Sequence, residues 1–158
     1  MYSGPTPGAS VITDIGKGFR ATRATDTLPQ TAEEAIFTVS GGRVFITRFF
    51  GEVTDTISAT DPQLSITTAP TTGTAVVLAS TVDSKSAEIG GFLSVEGDGS
   101  ALVLSLAGAI LGTAVPCNCI VAVGSIVLKS LASQTGSMKW FLTYFPLDLG
   151  AAVVGTSA

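Results

Sequence analysis

Apolar and polar side chains alternate along much of this chain with a period of two, the pattern of strands half-buried in a sheet. The clearest case runs from 137 to 145. Met138, Trp140, Leu142 and Tyr144 fall on one side of it, and Lys139, Phe141, Thr143 and Phe145 on the other. Pro146 closes the run, because proline has no N–H to give to a ladder. A second alternation spans 35 to 50 and is interrupted by Gly41 and Gly42. It reads as a hairpin whose glycine pair makes a tight primed turn. In that register Val39 faces Val44 and Phe37 faces Ile46 on one face. Thr38 meets Phe45 and Ile36 meets Thr47 on the other, which also carries Phe49. Arg48 lands among the apolar positions of the first face, so it is placed at the rim.

Further strands are expected at 52–59, after a break at Gly51, and at 63–67, 74–79, 92–96 and 125–131. The last of these is expected to pair with 137–145 as a second hairpin through a loop at 133–136. Turn signals at Asp61 and Pro62, at 69–73 and at 97–99 separate the runs, and 80–91 reads as a polar segment, either a loop or one carrying a single helical turn. Strand and turn signals recur about every ten residues, the spacing of an all-β sandwich or barrel.

No charged residue occurs from 99 to 128. That stretch admits a membrane-spanning helix or two buried strands, near 101–106 and 120–123. Gly108, Gly112 and Pro116 interrupt it, and neither end carries a basic cluster or an aromatic belt, which favours strands. Apolar strands of this kind suit a subunit interface, with Leu102 and Leu104 as candidate contacts alongside Phe45 and Phe49.

Residues 1–34 are rich in Gly, Pro, Thr and Ser and lack periodicity. They read as a disordered tail or as an extended arm that orders on a neighbour. Val11, Ile12, Ile15 and Phe19 would supply apolar contacts, and Lys17, Arg20 and Arg23 a basic cluster. The arm reading is preferred, giving a 1–34 arm and a 35–158 β-domain. The opening residues have neither the basic start nor the apolar run of a secretion signal.

Composition adds a constraint. Of 158 residues 46% are hydrophobic and only 13% charged, an apolar excess that needs a membrane, a partner subunit or an assembly to cover it. The net charge of −4 argues against nucleic acid as a partner. The chain has no histidine, and no phosphate loop, serine elbow or paired-carboxylate arrangement stands out, so an enzyme is not expected. Cys117 and Cys119 lack the further ligands of a structural zinc site, and an extended strand would hold them too far apart to bond. They read as small apolar side chains. Glu96, Asp98 and Ser100 read as a solvated turn rather than a calcium loop. Neither a metal nor a cofactor is expected. Trp140 and Tyr144 suit core packing better than a sugar-stacking platform.

The layout resembles the capsid decoration, or cement, proteins of tailed bacteriophages. The likeness rests on a polar arm, the run Ile-Phe-Thr-Val-Ser-Gly-Gly-Arg-Val-Phe-Ile-Thr at 36–47 leading into Gly51 to Thr54, and the closing stretch at 135–148. It covers about residues 33 to 150. The resemblance implies a jelly-roll-like or related antiparallel β-sandwich and a homotrimer bound to the major capsid protein on the outer surface of the virion. It implies no catalytic residue, and no contact with nucleic acid or membrane. The alternative from the residues is a virion fibre or spike that binds host glycan.

Overall fold

The computed structural model describes residues 18–58, 63–105 and 116–157. They form strands β1 (Phe19–Thr27), β2 (Glu33–Ser40), β3 (Val44–Asp55), β4 (Gln63–Pro70), β5 (Val77–Asp83), β6 (Phe92–Ser94), β7 (Val103–Ser105), β8 (Cys119–Val121), β9 (Gly124–Ser130), β10 (Ser137–Pro146) and β11 (Ala152–Gly155). One sheet, A, runs β1-β10-β3-β6-β7, with β8 also paired to β3; the other, B, runs β11-β2-β9-β4-β5. Every ladder between these strands is antiparallel. Only β4–β5 and β6–β7 are hairpins of consecutive strands; elsewhere the chain mostly passes from one sheet to the other. The order β1-β10-β3-β6 against β2-β9-β4-β5 is jelly-roll connectivity, so the expected all-β sandwich is the observed architecture.

Both expected hairpins are corrected by this topology. β2 and β3 do not pair: β2 lies between β11 and β9, and β3 between β10 and the β6 and β8 strands. β9 and β10 likewise belong to different sheets. The expected burial holds nevertheless, since Phe37, Val39, Val44 and Ile46 are all buried. They meet across the core from opposite sheets rather than side by side in one. Gly41 and Gly42 turn the chain between the layers, where the β10–β11 turn crosses them. A Cβ on Gly41, at φ 72°, would stand 2.1 Å from the Gly150 carbonyl oxygen, and one on Gly42 2.5 Å from Asp148 Cβ.

Gly51 was expected to break a strand and instead sits inside β3. Its missing side chain leaves room for Trp140 and Met138 from β10, whose atoms would lie 2.6–2.8 Å from a Cβ. Trp140, wholly buried, packs edge-on against Phe49 with ring centroids 5.7 Å apart, and Phe49 does the same with Phe37 of sheet B at 5.7 Å. This aromatic chain joins the two sheets. Burying side chains of this size contributes about 1.5–3 kcal/mol each, the main favourable term in such a core.

The arm boundary expected at residue 34 also moves. Residues 19–27 form β1, paired along β10, so residues 19–34 belong to the sandwich. Arg23 points inward and is 2% exposed; its guanidinium donates to Asp26 at 2.6 Å and to Glu34 on β2. It thereby links the two sheets at their open edge. Burial pushes the Glu34 carboxyl above its ordinary range, and the nearby Arg23 pulls it partly back. On that edge Gly155 of β11 passes so close to β1 that a Cβ would lie 2.3 Å from the Thr22 carbonyl oxygen.

The uncharged stretch from 99 to 128 contains β7, β8 and the start of β9, and no helix among the described residues is long and apolar enough to cross a membrane. The strand expected at 74–79 begins later, at Val77, and continues to Asp83.

Candidate functional site: an aromatic outer face

The outward faces of the two sheets differ. Along sheet B, register rows set Val154, Thr38, Ser125 and Ala69 side by side, then Ala35, Val127 and Thr67, then Glu33, Lys129 and Ser65. Lys129 Nζ donates to Glu33 at 2.8 Å within the last row. Val77 of β5 extends the middle row beside Thr67, so this face mixes polar and small aliphatic side chains and carries no aromatic ring in these rows.

Sheet A shows the opposite. Phe45 of β3 lies between Ile120 of β8 and Phe145 of β10 in one row. Phe50 and Phe141 face each other in another, stacked at 5.0 Å with rings 23° apart. Phe92 closes on Phe50 edge-on at 6.2 Å. Five of the chain's 8 phenylalanines therefore sit on the outside of one sheet. Cations rim them: Arg20 lies 4.9 Å and Lys139 5.1 Å from the centre of the Phe141 ring, so the ring is covered although it faces outward. Both contacts are within cation–π range. Arg48 shares a row with Thr143 and Arg20, and Glu52 one with Lys139 and Phe92. Asp55, exposed opposite Ser137, lies on the same side, so the face carries three cations and two carboxylates on a chain of net charge −4.

A bulge in β3 builds this face. Thr143 pairs with Arg48 but the next residue, Tyr144, pairs with Ile46, so Thr47 is the extra residue. The Thr47 hydroxyl donates to the Thr143 carbonyl at 3.2 Å, and the Thr47 carbonyl accepts from the Cys117 N–H at 3.1 Å. The skipped residue reverses the alternation. Phe49 turns into the core, at 2% exposed, while Arg48 and Phe50 turn out.

The sequence-expected contact residues divide accordingly. Phe45 is on the outer face, whereas Phe49 and Leu102 are core residues; Leu104, opposite Leu93, packs half-buried against the core. Phe49 is turned inward by the Thr47 bulge in β3, Leu102 is buried just before β7, and Leu104 leans on the core from β7. Of the expected arm residues, Val11, Ile12, Ile15 and Lys17 lie outside the described residues. Phe19 is half exposed beside Tyr144, and Arg20 rims the aromatic face. Arg23 is consumed by its internal ion pairs. Phe50, Phe92, Phe141, Phe145 and Ile120 were missed as a group. Phe141 and Phe145 share a side in the sequence alternation, but only the sheet order and the bulge bring the five together.

The remaining polar clusters are internal. The Ser100 hydroxyl donates to the Asp98 carboxylate and the Ser100 N–H donates to it at 2.9 Å, and these bonds hold the Asp98 carboxyl below its ordinary range. No group of three or more candidate metal ligands occurs among the described residues. Trp140 and Tyr144 are both buried, so they offer no stacking platform.

Arg43 and Asp148 form a bidentate pair beside the glycine corner, with Nε and Nη2 at 3.0 and 2.9 Å from the carboxylate and the Arg43 N–H at 2.7 Å. These bonds hold the Asp148 carboxyl down to about 2. A depressed carboxyl supports the fold above its unfolded pKa, and that support is lost as pH falls towards 2. An NMR titration of the Asp148 carboxyl is expected to give a midpoint about 2, rising in Arg43→Ala but staying below the ordinary carboxylate value of roughly 3.9, because the backbone N–H at 43 still donates to it.

No family model matches this chain, and comparison with curated proteins and with solved structures finds no match.

Proposed function

We propose that the protein is a structural component of a virion, a capsid decoration or cement protein. In this reading it self-associates, as a trimer, through the outer face of sheet A and binds the major capsid protein on the outer surface of the shell. The observation that carries the reading is the asymmetry of the sandwich. One outer face mixes polar with small aliphatic side chains and has no aromatic ring in its rows, and the other is aromatic, half-buried and rimmed by Arg20, Arg48 and Lys139. A face of that composition is what association covers.

Its occupant is a second copy of the chain. The face has a net charge of +1, from three cations against Glu52 and Asp55, while the rest of the molecule holds most of the 12 carboxylates, so the aromatic face of one copy complements the acidic surface of the next. Such a contact joins two different surfaces. It closes into a ring rather than a two-fold dimer, which would set cation against cation. A ring presents several copies of any capsid-binding element at once, and that multiplies weak contacts into firm attachment.

Capsid attachment is assigned to residues 1–17, which precede the edge strand β1. The test is a truncation that stops before β1, since removing all of 1–34 would strip an edge strand and the Arg23 ion pairs from the fold. Protein lacking residues 1–17 is expected to keep the native mass of the full chain's oligomer and to lose attachment to capsids otherwise free of decoration. Full capsid occupancy by the truncated protein would overturn the assignment. The alternative of a glycan-binding fibre draws no support from Trp140 and Tyr144, which lie in the core.

A further inference from the structure

Cys117 and Cys119 are closer than two strand residues should be. Two residues of extended chain span roughly 6.6 Å, and on that basis the pair was expected to be too far apart to bond. The chain is not extended there. The Asn118 N–H donates to the Pro116 carbonyl at 3.0 Å and the Cys119 N–H to the Cys117 carbonyl at 3.1 Å. These are successive three-residue turns, which shorten the span and point both thiols the same way. The two sulfurs stand 3.5 Å apart. Gly97, at φ 80°, makes room for them: a Cβ there would lie 2.7 Å from Cys117 Sγ and 3.1 Å from Cys119 Sγ.

The two thiols have different surroundings. Cys117 is wholly buried. Cys119 is partly exposed and lines a cleft of about 250 Å³, walled by the β4–β5 turn at Thr72 and Gly73, by Thr68 and Val76, and by Gly97. A hydrogen bond from the Cys117 thiol lowers the Cys119 pKa; that same bond, with burial, raises Cys117. An accessible, activated thiol backed by a buried one is the arrangement of an attacking and a resolving cysteine.

We infer that Cys117 and Cys119 form a thiol–disulfide exchange site, with Cys119 attacking low-molecular-weight disulfides that enter the cleft and Cys117 resolving the adduct. In the first step the Cys119 thiolate forms a bond to one sulfur of the disulfide, and the other sulfur leaves as a thiolate. In the second, Cys117 gives its proton to that released thiolate and attacks the Cys119 sulfur, expelling the second thiolate, which takes a proton from water. The products are a Cys117–Cys119 disulfide and two equivalents of reduced thiol. Two electrons pass from the protein to the small disulfide. Closing the bond needs the sulfurs to approach from 3.5 Å to about 2.05 Å, a movement within reach of side-chain rotation.

The test uses the full-length native protein and oxidised glutathione, with N-ethylmaleimide as the quench and intact mass as the readout. The native chain is expected to finish with neither maleimide nor glutathione attached and to remain a single chain on a non-reducing gel. Cys117→Ser is expected to stop at a glutathione adduct on Cys119. Cys119→Ser is expected to react at least about tenfold more slowly, because its remaining thiol is buried and protonated. Two maleimides on the native chain after prolonged incubation would overturn the proposal. So would disulfides formed only between chains, or Cys119→Ser reacting as fast as Cys117→Ser. The native-chain result decides the matter even where a variant fails to fold.

Discussion

Replacing Phe45 and Ile120 together by aspartate is expected to convert the oligomer into a folded monomer. The two residues share a row on the outer face of sheet A, where Ile120 is 64% exposed and Phe45 half-buried. In an isolated copy, neither supports the core, so unfolding of the monomer should change little. In the oligomer each aspartate would be a carboxylate forced against the acidic surface of the neighbouring copy, in place of an apolar contact. Central interface residues commonly cost 2 kcal/mol or more each when truncated, and like-charge contact adds to that. Self-association should therefore weaken on the order of a thousandfold, which sedimentation equilibrium measures directly. Thr38→Asp and Ser125→Asp, on the outside of sheet B, form the control: they share a row there and should leave the mass unchanged. If both pairs of substitutions dissociate the oligomer equally, the assignment to sheet A fails.

Trp140→Ala is expected to be the most damaging single substitution for the fold. Trp140 is the largest wholly buried side chain. It bridges Phe49 and the notch left by Gly51, and through Phe49 it reaches Phe37 on the opposite sheet. Truncations of this kind cost about 3–5 kcal/mol, because the surroundings only partly collapse into the space. For a chain of this length that corresponds to a fall of roughly 10–15 °C in melting temperature. The companion substitution Gly51→Val attacks the same contact from the other side. Its branched side chain would meet the indole ring, whose atoms lie 2.8 Å from even a Cβ, and overpacking here should cost about 1–3 kcal/mol. Thermal unfolding at one fixed protein concentration keeps association from entering the comparison. A loss under 1 kcal/mol for Trp140→Ala would contradict the aromatic bridge.

The alternation in β10 was fully legible: Met138, Trp140, Leu142 and Tyr144 turn in and their neighbours out. Alternation reports which side a residue faces, but it does not report which strand lies next to it. That is why Phe37, Val39, Val44 and Ile46 were placed in the core correctly while β2 and β3 were paired wrongly. A two-residue glycine corner suits a hairpin and a crossing between sheets equally well. What selects the crossing is the turn at 148–150, over a hundred residues away, lying against Gly41 and Gly42.

The aromatic face was half legible for a related reason. Counting outward positions from Phe45 by twos reaches Phe49, and the bulge at Thr47 breaks that count. Arg48 was the one visible clue, a charge sitting among apolar neighbours. Read as a rim residue it agrees with an unbroken strand, whereas read as a phase change it would have placed Phe49 inside and Phe50 outside. The thiol pair was missed because two consecutive turns, with no Gly between 116 and 119 to announce them, replace an expected extended run.

The central claim is that this chain does not function as a single copy, and its native mass tests that most directly. Sedimentation equilibrium on the purified 158-residue, 15.9 kDa chain at micromolar concentration is expected to give three times the chain mass. A stable 15.9 kDa monomer under those conditions would contradict the account.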